Sequence, residues 1–242
     1  MKDRVNWQKN KYSKFWANQV VKYGFDDYCQ GLCTLVESKH PQSVFELAIG
    51  TGWPFATRFT EAGIQVAGSD ISEYLIEQLK QNHPGIKSYV SSYENLPELT
   101  SEKYDIVYCF RSTWYFPDLY KAIDNMIRIT RKGGFVMFDI MNSDSEYVKS
   151  LIDKHRKSFV KILAKNFVKK IMNMLFARNY LMQDTRNIHE LPVSAMDVGN
   201  YLRKNGIQFN QYSINQISEG MDKPFVNSGQ SNSKIIFECM IP

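Results

Sequence analysis

Val44-Phe-Glu-Leu-Ala-Ile-Gly-Thr-Gly-Trp-Pro54 is the stretch from which the fold of this chain can be read. Val44–Ile49 is apolar except for Glu46, the pattern of a strand buried on both faces. Gly50 and Gly52 follow at once. A backbone that must lie against a ligand, or take a positive φ in a turn, uses glycine because no Cβ intervenes. Pro54 suits the first turn of a helix, where its missing N–H costs nothing. The same residues exclude two other loops. The third glycine of the dinucleotide fingerprint Gly-x-Gly-x-x-Gly would fall on Phe55, which is too large for close helix–strand packing. No Gly-Lys-Ser/Thr follows, as a Walker loop requires.

Outward from this loop, strands and helices alternate. A helix over Pro54–Glu61 closes at Gly63, and a strand, Ile64–Ser69, leads to Asp70. Ser72 caps a helix over Glu73–Asn82, and Lys87–Val90 is a third strand. Tyr104–Phe110 is a fourth strand, Asp118–Thr130 a helix, Lys132-Gly133-Gly134 a turn and Phe135–Ile140 a fifth strand. This alternation predicts a parallel sheet with helices on both faces. A helical stretch over 145–178 interrupts it. A helix over Ser194–Asn205 and strands over Ile207–Ile217 and Lys234–Met240 complete the chain, with a Gly/Ser/Asn-rich loop, Ser218–Ser233, between the last two. Three parts are expected: N-terminal helices over 1–40, a core of 41–144 and 190–242, and a helical insertion or lid over 145–189.

The hydrophobic fraction of 43% and aromatic fraction of 14% suffice for a packed core. No run of 18 apolar residues predicts a spanning helix. The polar start Met1–Trp7 lacks the apolar core of a secretion signal, so a cytoplasmic location is expected. Cys29, Cys33, Cys109 and Cys239 are scattered without a completing His or Cys pair. They read as reduced packing residues, and no metal site is expected.

The net charge of +5 is uneven. Lys149–Arg178 carries nine Lys or Arg against the single acid Asp153, which leaves the rest of the chain mildly acidic. Bound DNA is therefore not expected. Within this segment Val160, Leu163, Ala164, Phe167, Val168, Ile171, Met174 and Leu175 follow helical spacing, with Lys154, Lys157, Lys161 and Lys165 on the other face. This fits a lid with a solvated basic face. It also fits a cationic helix lying on an anionic inner membrane surface or facing a phosphorylated acceptor.

Glu46-Leu-Ala-Ile-Gly50-Thr-Gly52 resembles the first motif of the class I S-adenosylmethionine-dependent methyltransferases, acid-x-Gly-x-Gly-x-Gly, with Ala48 in place of the first glycine. With the order of elements, the resemblance covers about residues 40–240. It implies an α/β, doubly wound seven-stranded sheet of order 3-2-1-4-5-7-6 with strand 7 antiparallel. It implies S-adenosylmethionine as cofactor and S-adenosylhomocysteine as product. Glu46 would lie near the methionine end, with Ala48, Gly50 and Gly52 as the cradle. Asp70, 20 residues after Gly50, would take the ribose hydroxyls with Ile71 beside it, at the carboxyl ends of the strands where such sheets bind ligands. Ser92 and the Tyr93 N–H would hold the adenine. Phe110 and Arg111 would neighbour the cofactor, and Arg111, Trp114 and Tyr115 would face the acceptor. Tyr12 and Trp16, on the N-terminal helix, resemble the flap that closes over cofactor and acceptor in small-molecule members.

Methyl transfer to a hydroxyl or ammonium group also needs a base. His40 and His83 precede prolines in loops away from the expected pocket, which leaves His189 as the candidate base and acceptor contact. The Asn/Asp-Pro-Pro-Tyr/Phe signature of amino-methylating nucleic-acid enzymes is absent after the fourth strand. The expectation is a monomeric or homodimeric enzyme that methylates a small molecule, on oxygen in preference to nitrogen; a sugar, a lipid-linked saccharide and a natural product all remain open. Two alternatives stand beside it: a catalytically silent cofactor-binding interaction protein, and an RNA methyltransferase using the basic segment.

Overall fold

The computed structural model describes residues 13, 17, 25–99, 101–154, 164–165, 167–169, 191–218 and 228–242. Tyr12, Trp16, His189 and most of the flap and insertion lie outside the described residues.

The helices with both ends described are α1 (Asp27–Glu37), α2 (Phe55–Glu61), α3 (Glu73–Asn82), the single turn α4 (Leu96–Leu99), α5 (Leu119–Ile129) and α6 (Ala195–Lys204), and residues 146–154 are also helical. The strands are β1 (Ser43–Leu47), β2 (Gln65–Asp70), β3 (Lys87–Val90), β4 (Tyr104–Cys109), β5 (Thr130–Met141), β6 (Gln208–Ser213) and β7 (Lys234–Met240). They form one seven-stranded sheet in the order β3-β2-β1-β4-β5-β7-β6. β1 through β5 pair in parallel, and β7 runs antiparallel to both β5 and β6. The expected architecture is thus the observed one. Among the described residues no helix is long and apolar enough to cross a membrane.

Side chains alternate across a strand, and here both faces are covered. Phe45, Val107, Val136 and Phe237 pack on one face with Ile123 and Met126 of α5 and Val198 of α6. Their neighbours Val44, Ile106, Met137 and Ile236 pack on the other with Leu32 of α1, Phe59 of α2 and Leu79 of α3. Local capping sets the helix starts. The side chain of Asp26 accepts from the Cys29 N–H, that of Ser72 from Leu75, and that of Ser194 from Asp197. The four cysteines are buried free thiols within this packing.

Two local expectations are corrected. Pro54 stands at the N-cap of α2, after a cis peptide bond with Trp53, and the helix begins at Phe55. Lys132-Gly133-Gly134 does not end an element: β5 runs continuously from Thr130, and its pairing with β4 shifts register between Tyr104 and Ile106. The glycines form a bulge inside a strand. Gly133 takes φ +74°, its N–H donates to the Ile241 carbonyl, and the Ile241 N–H donates to the Gly134 carbonyl.

The chain leaves β1 toward β2 and β3 on one side and later fills β4 and β5 on the other. The switch point, where open α/β sheets bind ligands, therefore lies at the carboxyl ends of β1 and β4.

Candidate active site at the carboxyl edge of the sheet

The loop after β1 turns through three left-handed residues: Ala48 at φ +64°, Gly50 at +59° and Gly52 at +87°. The Ile49 N–H donates to the Ser69 carbonyl and ties the loop to β2. Ala48 thus keeps the course a glycine would take, at a cost of about 1–2 kcal/mol for an L-residue in this region. Glycine would remove that cost but lose about 0.4–1 kcal/mol through greater freedom of the unfolded chain. We expect Ala48→Gly to stabilise the protein by roughly 0.5–1 kcal/mol, seen as a melting temperature higher by about 1–4 °C. An unchanged or lower melting temperature would show that the turn accommodates alanine without strain.

Gly52 serves packing behind the loop. A Cβ there would stand 2.7 Å from Leu79 Cδ1 of α3. Behind the loop, Thr57 Oγ1 donates to the Gly52 carbonyl at 3.2 Å and lies 3.3 Å from His83 Nε2. His83 was expected away from the pocket; the turn after α3 instead brings its ring against the back of the loop. His40 lies at the opposite edge of the sheet, lining a cavity of about 320 Å³ with Lys39 and Arg131.

Two acids close the front of the loop. Glu46 is 4% exposed. The β1–β4 register sets Tyr108 beside it, and the Tyr108 hydroxyl donates to Oε2 at 2.8 Å. Burial holds the Glu46 carboxyl well above the usual range; the Tyr108 hydrogen bond opposes this and the nearby Asp70 adds to it. Asp70 is 8% exposed. Its Oδ2 accepts from the Gly50 N–H at 3.1 Å and its Oδ1 from the Ser72 N–H at 2.8 Å. Burial pushes its pKa up to about 6, against the pull of the Ser72, Gly50 and Ile71 amides. Neither acid forms an ion pair among the described residues.

After β3, the Ser92 hydroxyl accepts from the Glu94 N–H and caps the turn Tyr93–Asn95. The Tyr93 ring is buried and stacked on Phe116, with centroids 4.9 Å apart. Asn125 of α5 donates to the Tyr93 and Glu94 carbonyls at 2.9 Å each, which fixes this segment at the pocket edge.

After β4 the side chains divide. Phe110 is buried edge-on against Phe55, with centroids 5.4 Å apart. Arg111 takes φ +59°, and its guanidinium turns to Asp26 at 3.4 Å and to Cys29 Sγ at 3.1 Å. The sequence left its partner open between a structural acid and an acceptor anion, and Asp26 provides the first. Trp114 is buried, Tyr115 half-buried, and the two rings meet edge-on. On the N-terminal side, Phe25 meets Trp53 of the loop edge-on at 6.3 Å.

The sequence reading missed Asp139, Tyr28, Tyr108, Asn125 and Lys234. Asp139 carried a signal, as the lone acid in the apolar strand Phe135–Ile140. The others contact the site across long stretches of chain and carried none.

Buried carboxylates without a cationic partner are costly, and a hydroxylated, cationic ligand relieves that cost. The Asp70 oxygens accept backbone amide protons and keep lone-pair capacity for ribose hydroxyls. The left-handed loop exposes backbone beside it. The residues present therefore fit S-adenosylmethionine.

Residues 45–138 match the family model described as "Methyltransferase domain". A malonyl-[acyl-carrier protein] O-methyltransferase of Erwinia billingiae is 25% identical over 114 residues, 47% of this chain and 45% of that protein. The chain thus spans less than half the length of the curated relatives it matches. Among solved structures, a TehB-like SAM-dependent methyltransferase from Corynebacterium glutamicum aligns with TM-score 0.59 at 15% identity, over 97% of this chain and 98% of that one. Magnesium protoporphyrin IX methyltransferase from Synechocystis, solved with S-adenosylhomocysteine, aligns with TM-score 0.59 at 14% identity, over 98% and 97%.

Proposed function

We propose that this chain, whose residues 45–138 match a methyltransferase domain, moves a methyl group from S-adenosylmethionine to a small-molecule acceptor, on oxygen rather than nitrogen. The observation that carries the reading is the pair of buried acids, Glu46 and Asp70, without cationic partners among the described residues, beside the left-handed loop at the switch point. The similarity to curated O-methyltransferases favours oxygen.

When bound, S-adenosylmethionine supplies an electrophilic methyl group on a sulfonium. Asp70 accepts from the ribose hydroxyls, and Glu46 offsets the positive methionine end. The Ser92–Tyr93 turn borders the adenine. Phe110, Trp114 and Tyr115 wall the acceptor side and exclude water. Transfer is an in-line displacement, so the protein's task is to hold the acceptor oxygen roughly 3 Å from the methyl carbon. In this reading Tyr12 and Trp16 contribute to the cofactor contact and His189 to the acceptor contact; all three lie outside the described residues. Co-sedimentation with anionic vesicles at low salt separates a lipid contact of the basic segment Lys149–Arg178 from a lid with a solvated basic face; no binding would leave the lid reading.

Calorimetry with S-adenosylmethionine and S-adenosylhomocysteine is expected to show binding of both; no heat with either would overturn the reading. Methyl transfer is then screened over sugars, sugar nucleotides, phenols and carboxylic acids, with His189→Gln in parallel. Unchanged turnover and pH dependence in that variant would remove His189 from the reaction.

A further inference from the structure

A further buried acid lies two strands from Glu46. Asp139 of β5 is 0% exposed and belongs to neither the loop nor the ribose site. The β4–β5 register pairs Cys109 with Phe138, which puts Asp139 level with Phe110, at the carboxyl edge where the acceptor wall begins. Strand spacing sets it roughly 10 Å from β1 along the sheet.

Four elements meet on Asp139. The Tyr28 hydroxyl of α1 donates to Oδ2 at 2.6 Å, and the Arg111 N–H donates to Oδ1 at 2.7 Å. Burial raises the Asp139 carboxyl above its usual range, the positive charges of Lys234 on β7 and of Arg111 oppose this, and Cys109 of β4 lies beside it. Lys234 Nζ stands 4.8 Å from the centroids of both the Tyr28 and Trp114 rings. In the same place the Trp114 Nε1–H is buried without a hydrogen-bond partner among the described residues. An orphaned buried donor is costly, and a polar acceptor atom placed there would satisfy it.

We propose that Tyr28 and Asp139 form the proton relay for a hydroxyl acceptor, with Trp114 Nε1 orienting that acceptor. The inference rests on the O-transfer reading above. As the acceptor oxygen bonds to the methyl carbon, the carbon–sulfur bond breaks and its electron pair stays on sulfur. The acceptor proton passes to Tyr28 Oη, and the proton of Tyr28 passes to Asp139 Oδ2. Asp139 returns it to solvent after product leaves. Tyr28 is the catalytic residue, and Asp139 acts through it. Lys234 and Arg111 offset part of the burial that favours the protonated carboxyl, so Asp139 binds the relayed proton readily and still has an ionised form to accept it.

The test compares wild type with Tyr28→Phe and Asp139→Asn on two acceptor classes. A hydroxyl acceptor must lose a proton, whereas a carboxylate acceptor is already ionised. With a phenol or sugar hydroxyl, kcat is expected to fall about a hundredfold in both variants, within the 10²–10⁴ range of general-base contributions. The acid limb of the pH–rate profile should vanish in Asp139→Asn. With a carboxylate acceptor, kcat should change less than about threefold, and S-adenosylhomocysteine affinity measured by calorimetry should stay within threefold in both variants. Equal losses on both acceptor classes would make the pair a structural staple and overturn the relay. A wild type that methylates only carboxylates would overturn it too. Absence of cofactor binding in the wild type would instead sink the underlying reading.

Discussion

Asp70→Asn is expected to weaken S-adenosylhomocysteine binding about a hundredfold or more. In the proposed cofactor pose two ribose hydroxyls would donate to this carboxylate, and hydrogen bonds to a charged group contribute about 1.5–3 kcal/mol each. A loss near 3 kcal/mol is roughly two orders of magnitude in Kd. The amide also cannot replace both oxygens. In either orientation its NH2 faces the Gly50 or the Ser72 N–H, which now share one carboxylate. The wild type should carry a pH signature that the variant lacks. With the Asp70 pKa pushed up to about 6, affinity should rise as pH goes from 5 to 7 and the carboxyl ionises. The free protein has the opposite sign. Folding raises this carboxyl from 3.8 to about 6, so its contribution to stability is full below about pH 4 and is lost as pH rises through 6. Calorimetry across that range, with parallel thermal melts, checks both. An affinity that is flat with pH in the wild type would remove Asp70 from the cofactor contact.

Gly68→Ala should destabilise the protein by about 3 kcal/mol or more, lowering the melting temperature by roughly 6–12 °C. Gly68 sits in β2 opposite Glu46. A Cβ there would lie 2.6 Å from the Glu46 carbonyl oxygen and 2.6 Å from Ile49 Cδ1. The first of these cannot yield, because β1 is paired on both sides, with β2 and with β4. The displaced backbone is also the one that carries Glu46 and starts the loop, so cofactor affinity should fall with stability. A melting temperature within 2 °C of wild type, measured by circular dichroism, would show that β1 and β2 can separate at this point.

How much was legible depends on how far apart along the chain the interacting residues lie. β1, the loop and α2 are contiguous, so Glu46 and the positive φ at Gly50 and Gly52 could be read from one stretch, whereas the left-handed turn at Ala48 could not. Asp70 followed from its place at a strand end. Gly133-Gly134 misled because two glycines after a helix look the same whether the strand starts beyond them or bulges around them. Only the pairing with β4 distinguishes these, and a single sequence does not encode that register locally. The Glu46–Tyr108 contact spans 62 positions and the Tyr28–Asp139 contact spans 111. Tyrosines at 28 and 108 read as ordinary apolar positions until the sheet brings each one beside an acid. Arg111 was legible as a residue in need of a partner, but not as one whose guanidinium turns back to α1.

The position of β7 bears on how the chain is made. β5 is complete at residue 141, yet its second neighbour, β7, begins only at residue 234. Among the described residues β6 pairs with β7 alone. A ribosome adding about 5–20 residues per second therefore exposes the β5 edge, with Phe135, Phe138 and Ile140, for several seconds before its covering strand exists. During that interval the parallel half of the sheet ends in an apolar strand with unpaired amides, the surface most prone to joining another chain. Synthesis that stalls between residues 141 and 234 would release a species built to aggregate, so the yield of this protein should depend more on steady translation of its last third than on the stability of the finished fold.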